Sequence, residues 1–185
     1  MAARSNVGTE LVRAWARREL PAGATIVDVA CGSGVPLAQA LVEDGFVVAG
    51  LDASPTLLAE FRRRFPSMPS ACEPAQASTF FGRNFDAALC VGLLFLLDAD
   101  DQRRVLTNIA AALKPGGRLL FTAPREACTW NDALTGRPSC SLGERAYVGL
   151  LASLGLQVTG QFRDEGGNHH FAAEALNAAS SARRT

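Results

Sequence analysis

The sequence predicts an α/β protein with a doubly wound, mainly parallel sheet of seven strands and helices on both faces, in three layers. Strand-like and helix-like segments alternate along most of the 185 residues, a pattern typical of parallel sheets covered on both sides. One strand-like run, near 25–30, breaks into a glycine turn and then into a helix-like segment. The hydrophobic fraction of 48% suffices for one well-buried core. We therefore expect one domain rather than two.

The elements follow from apolar periodicity and from turn residues. A first helix is predicted over 8–20. Strands are predicted near 25–30, 46–52, 69–73, 85–91, 117–123, 156–162 and 169–175, and further helices near 35–45, 55–65, 100–113 and 142–154. Ser54 and Pro55 form a helix cap and first-turn pair, and Gly116 with Gly117 is predicted to end the fourth helix. The predicted organisation is an N-terminal helix or lid over 1–22, a domain over 23–176 and a polar tail over 177–185.

Composition narrows the classes of partner and compartment. The 18 basic and 18 acidic residues cancel to a formal charge of zero, so no global field attracts nucleic acid or an anionic membrane. The five cysteines show no zinc-ligand spacing, so we expect no metal and free thiols in a reducing compartment. No signal-peptide core or long apolar run is present. These features predict a soluble cytoplasmic protein that does not bind membranes; a homodimer is left open.

The glycine turn after the first strand is the strongest functional signal. Asp28 lies at the end of that strand, and Gly32 and Gly34 let bare backbone approach a ligand at a helix N-terminus. The next apolar run ends in Asp52, twenty residues after Gly32, where a carboxylate can accept hydrogen bonds from both hydroxyls of a ribose. The pattern therefore predicts a nucleotide-like ligand at the carboxyl ends of the strands.

Four motifs in order resemble those of the class I S-adenosylmethionine-dependent methyltransferases. They are 28–34 and 50–55 for the first two family motifs, 85–89 for the fourth strand, and 113–120 for the turn into the fifth. Together the motifs are spread over roughly half of the chain and are more specific than one glycine pattern. The resemblance implies a Rossmann-like methyltransferase fold over 23–176, an antiparallel last strand, and S-adenosyl-L-methionine as cofactor.

The resemblance also implies which residues bind the cofactor. Asp28 would interact with the turn amides or, through water, with the methionine amino group, and Ala53 would lie under the adenine. Ala30 replaces the family's first glycine, which is tolerable where its φ is negative. The full predicted set is Asp28, Ala30, Cys31, Gly32, Ser33, Gly34, Asp52, Ala53, Ser54, Glu73, Ala75, Gln76, Val91 and Gly92.

Two points about the cofactor stay open in the sequence. Pro74 occupies the position of the family's usual acidic adenine ligand, so Glu73, Gln76 or a backbone carbonyl could supply that contact. A dinucleotide is the competing ligand, but the third glycine of its fingerprint is replaced by Leu37. An NAD-dependent oxidoreductase is therefore the less favoured reading.

Methyl transfer is a direct displacement in which the enzyme mainly aligns the reactants and excludes water. Two segments can reach the acceptor: the long connection 124–137, with Trp130, Asp132 and Arg137 as predicted substrate-binding residues, and the segment 164–171, with His169 and His170. A catalytic or acceptor-orienting role is predicted for one histidine, since neighbours in a strand face opposite sides.

The predicted function is transfer of a methyl group to an O, N or S atom of a small molecule. The chain reads Cys90-Val91-Gly92-Leu93 where nucleic-acid amino-methylating enzymes carry their N/D-P-P-Y/F signature. The N-terminal helix and the 124–140 loop, with Trp15 and Trp130, could enclose a small acceptor. The alternative is a non-catalytic cofactor-binding or protein-interaction module with the same fold.

Overall fold

A computed structural model describes residues 6–132 and 136–177, which form five helices and nine strands. The helices are α1 Thr9–Glu19, α2 Leu37–Glu43, α3 Pro55–Arg64, α4 Ala99–Ala111 and α5 Glu144–Ser153. The strands are β1 Thr25–Val29, β2 Val47–Asp52, β3 Ser70–Cys72, β4 Phe85–Cys90, β5 Leu113–Thr122, β6 Cys128–Asn131, β7 Pro138–Ser141, β8 Leu156–Arg163 and β9 His169–Ala175. The predicted tail lies outside the described residues from 178 onward.

The main sheet has seven strands in the order β3-β2-β1-β4-β5-β9-β8. The five strands from β3 to β5 pair in parallel, and β9 is antiparallel to both β5 and β8. The predicted fold, including the antiparallel last strand, is confirmed. Because the chain order reverses between β1 and β4, a crevice opens at the carboxyl ends of these two strands.

Apolar side chains bury both faces of this sheet. On one face, α1, α2 and α3 pack through residues such as Trp15, Leu41 and Phe61, and on the other, α4 and α5 pack through residues such as Ile109 and Leu151. Trp15 is 2% exposed inside this core. Trp15 therefore stabilises the packing of α1. The role in closing a lid that the sequence suggested for it does not fit this buried position.

An ion pair fixes α1 beside the end of α2. Arg13 donates two hydrogen bonds to the Asp44 carboxylate, from Nε at 3.0 Å and from Nη2 at 2.6 Å, and Arg17 donates a third. The hydrogen bond from Arg13 is the largest influence and lowers the pKa of Asp44 to about 2. This anchor holds α1 against the C-terminal end of α2.

The structure corrects two expectations about loops. The 124–140 connection contains the hairpin β6–β7. The sequence did not predict it, because its two strands are only four residues long and lack an alternation of apolar and polar residues. Helix α4 ends at Ala111 without a glycine, because β5 begins at Leu113 and pairs at once with Phe85. Gly116, with φ of 74°, therefore lies within β5 and does not end the helix.

None of the helices in the described ranges combines the length and apolar character needed to cross a membrane. The five cysteines are free thiols. Within residues 6–132 and 136–177, no three His, Cys, Asp or Glu side chains are grouped so that they could hold a metal ion.

Candidate functional site

A cavity of about 960 Å³ opens at the carboxyl ends of β1, β2, β4 and β5. This is the crevice that the change of strand order creates, and its volume is at the upper end of ordinary small-ligand pockets. Residues 30–76 that line it form the β1–β3 wall. The β4–β9 wall is formed by Val7, 91–93, 95–97, Thr122, Asp132, Asp164 and Asn168.

Left-handed backbone shapes the turn that follows β1. Ala30, Gly32 and Gly34 have φ values of 63°, 58° and 79°. The condition that would make alanine tolerable at this position, a negative φ, is not met: Ala30 takes the conformation that glycine adopts freely, at a cost of roughly 1–2 kcal/mol. The turn places Ala30, Gly32 and Ser33 on the cavity surface.

Gly34 has a packing role that its motif did not reveal. A Cβ atom there would lie 2.5 Å from Cε2 of Phe65 and 2.8 Å from Cδ2 of Phe61. These rings belong to α3 and the residue that follows it, and Gly34 is not among the cavity-lining residues. Gly34 therefore lets α3 pack closely against the turn, whereas Gly32 is the glycine that faces the cavity.

The Asp52 carboxylate is fixed in the β1–β3 wall by two backbone amides. Gly32 N donates to Oδ2 at 2.7 Å, and Ser54 N donates to Oδ1 at 2.8 Å. Ser54 in turn caps α3, because its hydroxyl accepts a hydrogen bond from Leu57 N at 3.3 Å. Each carboxylate oxygen retains acceptor capacity, so Asp52 can still accept hydrogen bonds from a ligand in the cavity.

The segment after β3 completes this wall. Glu73, Pro74, Ala75 and Gln76 all line the cavity. Glu73 Oε1 already accepts a hydrogen bond from the Ser78 hydroxyl at 2.6 Å. Two of the predicted alternatives for a polar contact at this end, Glu73 and Gln76, thus both lie on the cavity surface.

The β4 and β5 ends are joined by a residue that sequence reasoning missed. Gly92 N donates to Thr122 Oγ1 at 2.7 Å, and both residues line the cavity together with Val91. Thr122 is 4% exposed and occupies the last position of β5. A single threonine at a strand end gives no motif, so only the pairing of β4 with β5 reveals it.

The hairpin tip 164–168 closes the far end of the β4–β9 wall. Asp164 Oδ1 accepts hydrogen bonds from the backbone amides of Gly166 and Asn168, at 3.0 and 2.9 Å. Its Oδ2 lies 3.0 Å from His170 Nε2 and accepts from Asn168 Nδ2 at 2.9 Å. Burial raises the pKa of Asp164, but the hydrogen bonds from His170 and Asn168 lower it by more. Asp164 therefore holds the tip together as a carboxylate whose side chain is only 2% exposed.

The N-terminal segment contacts this tip. Gly8 N donates to Glu165 Oε1 at 3.0 Å, and Val7 lies so close to Gly166 that a Cβ there would be 2.4 Å from Val7 Cγ1. Val7 also lines the cavity. The chain entering α1 thus forms part of the cavity wall.

Neither predicted catalytic histidine lines the cavity. His170 is fully buried behind Asp164. His169 points to the other side of β9, where its Nε2 lies 3.0 Å from Gln161 Oε1 and its ring packs edge-on against Phe171. Burial is the largest influence lowering the pKa of His169. Neighbouring side chains of a strand point to opposite faces, which explains why the two histidines lie on different sides of β9. Neither position places the imidazole in contact with a ligand in the cavity.

The predicted substrate-binding residues also divide. Asp132 lines the cavity, but Trp130 and Arg137 do not. The Trp130 ring packs against Phe95, with the two ring centroids 5.9 Å apart, and Phe95 lines the cavity. Trp130 thus supports the wall from behind. Residues 133–135 of the predicted segment lie outside the described residues.

Most of the predicted cofactor-binding residues line the cavity, and four do not. Those on its surface are Ala30, Gly32, Ser33, Asp52, Ala53, Glu73, Ala75, Gln76, Val91 and Gly92. Behind or beside it lie Asp28, Cys31, Gly34 and Ser54. Asp28 is 1% exposed and Cys31 is 1% exposed, so both are packed under the turn.

The charged side chains of the described lining are all acidic: Asp52, Glu73, Asp132 and Asp164. Apolar residues at 93, 95, 96 and 97 cover much of the rest of the β4–β9 wall. The cavity therefore suits a ligand that is neutral or cationic better than one that carries several negative charges.

Comparison with known proteins places this architecture among methyltransferases. A family model described as a methyltransferase domain matches residues 26–117. The ubiquinone biosynthesis O-methyltransferase of Coxiella burnetii is 32% identical over 104 residues, covering 54% of this chain and 43% of that protein. The glycine N-methyltransferase of Mus musculus is 36% identical over 114 residues, covering 52% of this chain and 39% of that protein. The matched region is thus less than half the length of these curated relatives.

A solved structure extends the likeness of fold over almost the whole chain. It is the 1,6-didemethyltoxoflavin-N1-methyltransferase of Burkholderia thailandensis, with bound 1,6-didemethyltoxoflavin and S-adenosylhomocysteine. The TM-score is 0.75 at 20% sequence identity, and the match covers 92% of this chain and 79% of that one.

Proposed function

Because this chain belongs to the class I S-adenosylmethionine-dependent methyltransferases, we propose that it transfers a methyl group from S-adenosylmethionine to a small-molecule acceptor. The observation that carries the proposal is the Asp52 carboxylate, which Gly32 N and Ser54 N hold in the wall of the cavity. A fixed carboxylate at the end of the second strand suits a pair of ribose hydroxyls.

The β1–β3 wall fits the cofactor in shape and chemistry. Asp52 would accept from the ribose, Gly32 and Ser33 offer a turn surface for the methionine end, and Ala53 and Leu57 give an apolar surface for the adenine. All five residues line the cavity. When bound, S-adenosylmethionine supplies a methyl group on a positively charged sulfur.

The β4–β9 wall is proposed to hold the acceptor. Val91 and the apolar residues of 93–97 would exclude water, while Thr122 keeps Gly92 in place through its hydrogen bond. Alignment and dehydration are the main contributions that a displacement reaction requires of a protein. The wall therefore needs rigid positioning more than an acid or a nucleophile.

The acidic residues that line the cavity limit the charge that an acceptor can carry. Asp132 and Asp164 are the charged groups of the described β4–β9 wall, and no basic side chain is among the described lining residues. An acceptor with a carboxylate or phosphate beside its nucleophile would face repulsion there. We propose a neutral or amine-bearing acceptor, compatible with either O- or N-methylation.

Two measurements test the proposal. Calorimetric titration of the chain with S-adenosylmethionine, S-adenosylhomocysteine and NAD should show binding of the first two and not of NAD. Incubation with methyl-labelled S-adenosylmethionine and panels of neutral, amine and carboxylate small molecules should then give transfer to members of the first two panels. Binding of NAD alone, or of none, would overturn the cofactor assignment. Cofactor binding with no transfer to any panel would favour a non-catalytic binding module.

A further inference from the structure

Helix α4 carries two carboxamides that reach outside the helix to opposite walls of the cavity. Gln102 is fully buried, and its Nε2 donates to the backbone carbonyls of Leu97 and Cys140, both at 3.0 Å. Asn108 lies six residues further along α4. Its Nδ2 donates to the backbone carbonyls of Ala75 and Gln76, at 3.2 and 3.1 Å.

Gln102 belongs to a closed polar network. Its Oε1 accepts a hydrogen bond from the Tyr147 hydroxyl at 2.6 Å, and that hydroxyl accepts one from Leu142 N at 3.2 Å. Burial raises the pKa of Tyr147, so the hydroxyl stays protonated and remains a donor to Gln102. Any replacement of Gln102 that cannot donate therefore removes a hydrogen bond from the carbonyls of Leu97 and Cys140.

The two carbonyls that Gln102 holds belong to two different segments of the β4–β9 wall. Leu97 ends the apolar lining segment 93–97, and Cys140 lies in β7 of the hairpin that carries Asp132. The same two segments meet again where Phe95 packs against Trp130. Gln102 therefore fixes the hairpin to the lining segment.

Asn108 holds the opposite wall in the same way. Ala75 and Gln76 both line the cavity after β3. The Gln76 side chain is tied to α4 a second time, since its Nε2 donates to Asp101 Oδ2 at 3.2 Å. The segment after β3 is a three-residue 3-10 turn, so these contacts determine its distance from α4.

We propose that α4 sets the two walls separately, with Gln102 as a positioning residue for acceptor selection and Asn108 as a positioning residue for cofactor affinity. The assignment of acceptor and cofactor to the walls rests on the proposed function; the mechanical roles of the two amides do not. Gln102 thus acts on the β4–β9 wall and leaves the β1–β3 wall unchanged, whereas Asn108 acts on the β1–β3 wall and leaves the β4–β9 wall unchanged.

The test compares Gln102→Met with Asn108→Leu, which replace each amide by an apolar group of similar size. Three quantities are measured for each: S-adenosylhomocysteine affinity, amide hydrogen exchange in 73–77 and 128–132, and the emission of Trp130. Trp130 is isolated in a Trp15→Phe background, because the chain has two tryptophans. Thermal unfolding confirms that each variant is folded.

The two variants are expected to change opposite walls. Gln102→Met should speed exchange in 128–132 and shift the Trp130 emission to the red, with ligand affinity within about twofold of wild type, because its lost hydrogen bonds lie in the β4–β9 wall. Asn108→Leu should weaken S-adenosylhomocysteine binding about tenfold and speed exchange in 73–77, with Trp130 unchanged. With an acceptor in hand, Gln102→Met should raise the acceptor KM more than it lowers kcat.

Two outcomes would overturn the proposal: both variants disturbing both walls equally, or Gln102→Met leaving the exchange and the Trp130 emission unchanged. If either variant is unfolded, Tyr147→Phe and Asn108→Asp replace them, since one removes the hydroxyl and the other the donor with little change in shape. Failure of the wild-type chain to bind S-adenosylhomocysteine would refute the proposed function, and exchange and emission would still decide the roles of the amides.

Discussion

The two walls of the cavity are built in different ways. The β1–β3 wall comes from turns that directly follow strands: the amides that hold Asp52 belong to Ser54, two residues after it, and to Gly32, twenty residues before it. The β4–β9 wall combines the N-terminal segment, the β6–β7 hairpin and the tip 164–168, whose contacts join residues as distant as Gly8 and Glu165. A cofactor site formed by local turns can stay constant while distant segments change, so we expect specificity to reside in the β4–β9 wall.

The largest difference in the free energy of unfolding is expected between two variants that each add one methyl group to a glycine beside one of the walls. Gly34→Ala should lower the free energy of unfolding by about 3 kcal/mol, because the new Cβ adds overpacking to left-handed strain. The atoms it would meet belong to Phe61 and Phe65. Chemical denaturation measures the change.

Gly167→Ala is the matched control in the tip of the β4–β9 wall. Its φ is 80°, close to the 79° of Gly34, but a Cβ there meets nothing within 4 Å. It should cost only about 1 kcal/mol, since left-handed strain remains alone. Equal losses in the two variants would show that the turn after β1 is not tightly packed against α3.

Ala30→Gly should stabilise the β1–β3 wall. Relief of roughly 1–2 kcal/mol of left-handed strain exceeds the extra chain entropy of glycine, about 0.5–1 kcal/mol, so the free energy of unfolding should rise by up to about 1 kcal/mol. Thermal and denaturant unfolding of the variant measure this gain. A loss of stability would mean that the φ of 63° costs the alanine nothing.

Acid should loosen the β4–β9 wall first at its tip. The pKa of Asp164 is lowered from the ordinary value of 3.8, so its stabilising hydrogen bonds are complete above that value and are lost as the pH falls through the lower folded pKa. Amide NMR signals of 164–168 should therefore change on lowering the pH from about 5 to about 2. Asp164→Asn should remove the change, and its persistence in that variant would assign it to another group.

The difference between the walls also explains what the sequence predicted well. Gly32 and Asp52 are recognisable because a turn and a strand end each impose a residue type at one place, and both line the cavity. The strands of the parallel sheet were equally visible, since they are continuous apolar runs. Local physics thus predicts the fold and most of the β1–β3 wall.

The misses have a common cause in long-range packing. Thr122 and Val7 reach the cavity only through the folding of distant segments, and no local pattern marks them. His169 and His170 attracted a catalytic prediction by residue type, but the register of β9 buries one behind Asp164 and directs the other to Gln161. No motif of the sequence includes Gln102, and only the tertiary structure shows its two carbonyl partners.

The most direct test of the account is calorimetric titration of S-adenosylhomocysteine into the wild-type chain, Asp52→Asn and Asp100→Asn. Asp100 is the matched control, because it is an 80% exposed carboxylate outside the cavity. We expect Asp52→Asn to weaken binding by about tenfold or more, since hydrogen bonds to a charged acceptor are lost, and Asp100→Asn to bind within about twofold of wild type. Wild-type affinity in a folded Asp52→Asn variant would contradict the placement of the cofactor in the β1–β3 wall.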